Sequence, residues 1–102
     1  MAATTAGNTP LSILTQPLGG LVCLGKAFTF LINAADTVGI TLSYQWYKNG
    51  SAIGGATSST YTIASAAYTD AGTYYCVITD NVTPTANTLQ SFSAVLNVVG
   101  TA

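Results

Sequence analysis

Apolar and polar residues alternate along most of this chain with a period of two, and turn-forming residues separate the alternating runs. LSILTQ (11–16) is the first run, closed by Pro17 and the pair Gly19-Gly20. LVCL (21–24) is short and stops at Gly25-Lys26. AFTFLINA (27–34) sets Phe28, Phe30 and Ile32 on one side, and TLSYQWYK (41–48) does the same for Leu42, Tyr44 and Trp46. Asn49-Gly50 follows as a tight turn, because both residues tolerate positive φ. SAI (51–53) is a short strand before Gly54-Gly55. TSSTYTIA (57–64) pairs Tyr61 with Ile63, and TYYCVITD (73–80) aligns Tyr74, Cys76 and Ile78. The polar segment DNVTPTANTLQ (80–90) reads as a long loop, and SFSAVLNVV (91–99) carries Phe92, Ala94, Leu96 and Val98 on one face.

No segment keeps a helical period. Seven or eight short strands, each with one apolar face, call for two antiparallel sheets packed against each other, an all-β sandwich. Residues 1–10 are small and polar and end at Pro10, so they read as a flexible arm ahead of one domain over 11–102. A single chain of 102 residues buries enough surface for one modest core.

Alternation also sorts the aromatic residues. Trp46, Tyr61 and Tyr74 fall on the inward side. Tyr47 and Tyr75 point outward, with Val77 and Val95 on the same sheet, and form a candidate contact face.

Over roughly residues 11–99 the chain resembles an immunoglobulin-like domain. The residues that carry the likeness are Trp46 within YQWYKNG, Tyr61 and Ile63 in STYTI, Asp70, Gly72, Tyr74 and Cys76 in DAGTYYC, and the closing AVLNV. The resemblance implies that Tyr74, two positions before Cys76, closes a corner through its hydroxyl. It also implies that Ile32 stands where the family places its first core cysteine, packed with Cys76 against Trp46. The runs YQWYKNG, AIGGATSSTYTI and TDAGTYYCVIT resemble the Ig-like modules of bacteria and tailed bacteriophages, which are often Thr/Ser/Ala/Gly-rich and lack the disulfide bridge. No Arg or Lys precedes STYTI to pair with Asp70, so Asp70 is expected to accept N–H bonds within its own turn.

The two cysteines pose a separate question. Val22 and Leu24 look like the inward pair of LVCL, which turns Cys23 away from Cys76 and leaves both thiols free. A one-residue slip in LVCL reverses this and turns Cys23 inward. Free thiols fit synthesis in a reducing compartment.

Charge narrows the chemistry. Only 5% of residues are charged, Lys26, Lys48, Asp36, Asp70 and Asp80, and there is no His. Two isolated lysines supply neither a nucleic-acid footprint nor a polybasic membrane anchor. No stretch approaches ~18 continuous apolar residues, the length a spanning helix needs. The opening MAATTAGNTP has neither the basic nor the apolar region of a secretory signal. With no His and three scattered aspartates, neither acid–base catalysis nor a tetrahedral metal site is expected, and no cofactor. Asp80 beside its polar loop offers at most a weak Ca²⁺ contact. The triplets Asn49-Gly50-Ser51 and Asn81-Val82-Thr83 match the glycosylation pattern but read as turn chemistry.

A nearly neutral surface carries little long-range repulsion, so many copies can sit side by side. Together with the resemblance, this leads to the expectation of a non-enzymatic virion protein, similar to the Ig-like decoration proteins on tailed-phage heads. It would be made in the host cytoplasm and dock in many copies on the major capsid protein or on itself. The alternative is an adhesion module of a tail fibre or bacterial surface protein that binds host glycans or proteins.

Overall fold

The computed structural model describes residues 11–36, 42–80 and 88–100. The arm over residues 1–10, the triplet at Asn81 and most of the 80–90 loop lie outside them. Among the described residues there are ten strand segments and one 3-10 turn: β1 (Leu11–Thr15), β2 (Gly20–Cys23), β3 (Phe28–Leu31), β4 (Asn33–Asp36), β5 (Ser43–Lys48), β6 (Ser51–Ala52), β7 (Thr60–Ile63), the turn Tyr68–Asp70, β8 (Gly72–Thr79), β9 (Thr88–Gln90) and β10 (Ala94–Val99).

The segments form two layers. One is the run β2–β10–β8–β5–β6, with β9 also on β8. The other joins β1 to β4 and β3 to β7. β3 and β4 are one line of chain interrupted at Ile32, whose side chain is buried. All pairings are antiparallel except β2 with β10, which is parallel. The chain therefore leaves one layer after β1 and joins the other as β2. The crossover is tight: a Cβ on Gly19 would lie 2.0 Å from the carbonyl oxygen of Val95. Only glycine fits at that approach.

The core lies between the layers and follows the alternation. Phe30, Ile32, Trp46, Tyr74, Cys76, Ile78 and Leu96 are fully buried. Phe30 is the aromatic hub, with its ring centroid 4.5 Å from Tyr74, 4.9 Å from Phe28 and 5.9 Å from Trp46. Trp46 stands directly across from Cys76 in the β5–β8 register. Its indole N–H donates to the carbonyl of Ser58 at 2.8 Å, so the one polar atom of the ring is satisfied. Both cysteines are free thiols, Cys23 exposed and Cys76 buried. Burial pushes the Cys76 thiol up to about 11.

Two sequence expectations need correction. The first is the strand count. Eight predicted runs become ten segments because AFTFLINA splits at Ile32 and because Thr88–Gln90, expected as loop, pairs with β8.

The second is Phe92, expected to point inward with Ala94. It is 70% exposed. From the pair Val77–Gln90 to the pair Tyr74–Ala94, β8 advances three residues and its partner four. The extra residue is a β-bulge, and it flips the side-chain alternation between Ser91 and Ala94. Ser91 is buried in place of Phe92. Its hydroxyl accepts the Cys76 N–H at 2.9 Å and donates to the Phe92 carbonyl at 2.9 Å, while its own N–H donates to the Cys76 carbonyl at 2.8 Å.

Candidate functional site: the outer face of the β10–β8–β5 layer

The corner that supports this face starts at the turn Tyr68–Asp70. The Asp70 carboxylate accepts the Ala67 N–H at 2.8 Å, inside its own turn as expected. The Tyr74 hydroxyl donates to the Asp70 carbonyl at 2.6 Å. Burial first, and then the charges of Asp70 and Tyr61, push the Tyr74 phenol up to about 12. Lys48 reaches over from the end of β5, donates to the Thr69 carbonyl and lies 5.9 Å from the Tyr74 ring centre. The next residue, Asn49, accepts the Thr73 N–H at 2.9 Å through Oδ1. The Asn49-Gly50 turn and the start of β8 are thus tied together.

With β5 and β8 pinned in this way, their outward residues align. Tyr47 lies directly opposite Tyr75. The two rings stack 5.0 Å apart with only 6° between their planes. One step along β8, Val77 sits between Gln45 of β5 and Gln90 of β9. On the other side of β8, Val95 faces Thr73 and is 53% exposed. The four residues expected to share an outward face do share one: Tyr47, Tyr75 and Val77 are half-buried and Val95 is exposed. The face carries a flat aromatic pair, valine methyl groups and neutral polar neighbours. It suits apolar and stacking contact with hydrogen bonds at the rim.

Gln45 shares the parity of Tyr47, but its side chain leaves the face. Its amide N–H groups donate to the carbonyls of Ile53 at 2.7 Å and Trp46 at 2.9 Å. It holds the 53–56 segment, a role no sequence pattern signalled. Ser91 is likewise invisible to a pattern search, because its burial depends on the bulge.

On the opposite layer Thr15, Gln16, Leu18, Thr29 and Leu31 line an open hollow of about 170 Å³. It is smaller than the ~300 Å³ at which small-molecule sites begin. Among the described residues, no group of three or more His, Cys, Asp or Glu gathers where a metal could bind. No helix among them is long and apolar enough to cross a membrane.

Two packed layers, antiparallel but for the β2–β10 pairing, a buried tryptophan on β5 and a tyrosine corner define an immunoglobulin-like β-sandwich. The family model described as "Immunoglobulin domain" matches residues 21–98, and the chain belongs to that family. Solved structures agree on the fold. The chain is similar to the tandem Ig repeats of Dlar (18% identity, TM-score 0.75, covering 89% of this chain and 49% of that one). It is also similar to Sidekick-1 immunoglobulin domains 1–5 (23%, TM-score 0.73, 86% and 18%) and to titin M4 (23%, TM-score 0.71, 87% and 95%). It therefore spans about half of the Dlar chain, under a fifth of the Sidekick-1 chain and nearly all of the titin domain. No curated protein matches it.

Proposed function

We propose that this immunoglobulin domain is non-enzymatic and works by being contacted, as a many-copy structural component of a virion of the tailed-phage type. The observation that carries the reading is the Tyr47–Tyr75 stack on an uncharged outer face with Val77 and Val95 beside it. The 5% charge content supports close packing of copies, because neutral surfaces do not repel one another over distance. Each copy docks on the major capsid protein or on a neighbouring copy through this face, in a virion assembled in the host cytoplasm. The test is co-expression with the major capsid protein of the virion it is proposed to join. The chain is expected to sediment with assembled heads, and Tyr47→Ala/Tyr75→Ala to remain folded but in the supernatant. A folded wild-type chain that never leaves the supernatant ends the reading.

One observation favours a second reading, a binding module strung in series. The β3–β4 line runs from one pole of the sandwich to the other. Leu11 lies opposite Asp36 at its far end, whereas Leu24 bonds to Val99 beside Lys26 at its start. The described chain thus enters at one pole and leaves at the other, as a tandem module must. Specific binding on a glycan array, lost in the same double variant, would favour this adhesion reading over the virion one.

A further inference from the structure

Among the described residues, β7 pairs on one side only, with β3. The register identifies which of its main-chain groups are left over. Ile32 N–H donates to the Ser59 carbonyl at 2.9 Å, continuing the β3–β7 ladder. In an antiparallel ladder the bonded pairs alternate, so Phe30–Tyr61 and Phe28–Ile63 are the bonded pairs of β3 and β7. The N–H and C=O groups of Thr60 and Thr62 therefore point away from β3, toward the open edge.

The segment before β7 does not cover that edge, because its polar groups are engaged elsewhere. Ile53 N–H donates to the Trp46 carbonyl, Ala56 accepts the Trp46 N–H, and the Ser58 carbonyl accepts the Trp46 indole. The Thr62 hydroxyl is held sideways by Thr29 at 3.0 Å. Native edges are ordinarily blunted by lysine, proline or a bulge. Here no charged residue and no proline occurs anywhere from Asn49 to Thr69.

We propose that the β7 edge is an interaction surface for a second copy of this chain, paired β7 to β7 antiparallel across a twofold axis at Tyr61. The geometry closes on itself. Thr60 lies opposite Thr62 of the second copy and Thr62 opposite its Thr60, so the outward groups of both strands meet as bonded pairs and form four main-chain hydrogen bonds. The Ser58 carbonyl, already taken, ends the ladder. No like charges face each other across the axis, which is what allows an edge to accept itself. Four bonds with little apolar burial make a weak pair, populated where copies are concentrated. This surface lies on the other layer from the Tyr47–Tyr75 face, so the proposal stands apart from the reading above.

The test uses the substitution Thr62→Pro. It removes the edge N–H of Thr62, which by symmetry serves two of the four bonds, and leaves the β3–β7 ladder intact. Sedimentation and amide hydrogen exchange are measured from micromolar to about 1 mM chain. The expected result is dimerisation of the wild type at the upper end, with exchange at Thr60 and Thr62 slowing as concentration rises. Association is expected to be roughly ten- to a hundredfold weaker in Thr62→Pro. Thr60→Lys/Thr62→Lys, which sets two lysines against two lysines at the edge, is expected to abolish it, and decides the matter should the proline variant not fold. Exchange at Thr60 and Thr62 that is independent of concentration overturns the proposal. So does a dimer left undiminished in a folded edge variant.

Discussion

The hydroxyl of Tyr74 donates to the carbonyl of Asp70 at 2.6 Å, four residues back along the chain, and closes the corner from which β8 departs. This bond joins a 3-10 turn to the core strand that carries Cys76 and Ile78.

Removing the hydroxyl with Tyr74→Phe keeps the ring in its stack on Phe30 and orphans the Asp70 carbonyl. The expected loss is about 1–2 kcal/mol of unfolding free energy, read from urea unfolding. At roughly 4–8 °C per kcal/mol for a domain of this size, the melting temperature falls measurably.

Alkaline pH acts on the same residue. The folded-state phenol titrates at about 12, above its ordinary value near 10. The unfolded chain therefore releases the proton first. The stability that depends on the neutral phenol is whole below pH ~10 and is lost as pH rises toward 12. Cys76 adds a similar loss between its ordinary value near 9 and about 11. Alkaline unfolding of Tyr74→Phe is expected to lack the upper part of this slope. A slope unchanged by the substitution would assign it to other groups.

The bulge makes a paired prediction. Ser91→Ala strips the buried Cys76 N–H of its acceptor and is expected to cost roughly 1–3 kcal/mol. Phe92→Ser, at an exposed ring, is expected to stay within about 0.5 kcal/mol of wild type. Were the order reversed in denaturant titrations, a register break between Gln90 and Ala94 would be ruled out.

Gly19→Ala drives a methyl group into the Val95 carbonyl at the crossover between layers. A loss on the order of 3 kcal/mol is expected, because backbone rather than a side chain must give way. Hydrogen exchange is expected to show the parallel β2–β10 pairing opening first.

Thiol chemistry separates the two cysteines. In the native state one thiol per chain, Cys23, is expected to react promptly with an aromatic disulfide reagent, with Cys76 following only as the domain opens. In denaturant without reductant two thiols per chain are expected. A count below two there would reveal a bridge.

Much of the sandwich is legible from alternation, because both layers bury one face and leave the other to solvent. Ile32, Trp46, Tyr74, Cys76 and the outward Tyr47 and Tyr75 all follow from it. The misses have two causes. Phe92 and Ser91 depend on a one-residue shift in pairing, and a period-two pattern holds no record of where its partner strand slips, whereas Thr88–Gln90 carries one apolar residue between two polar ones, too little alternation to mark a strand. Gln45 escaped for a related reason, since its backbone position obeys the alternation while its amide reaches sideways to carbonyls of the next segment. The edge of β7, unpaired among the described residues, is equally silent in sequence. It exists because residues 53–58 bond to Trp46, which only the folded chain reveals.

The sealing of Trp46 has an optical consequence. It is the chain's only tryptophan, fully buried, with its indole N–H held by Ser58. Excitation at the long-wavelength edge of protein absorption, where the six tyrosines do not absorb, therefore samples a single indole in one dry environment, and its emission moves to longer wavelength once water reaches the ring. The molecule carries its own lamp at the centre of the sandwich, and no dye or tag is needed to watch the two layers come apart.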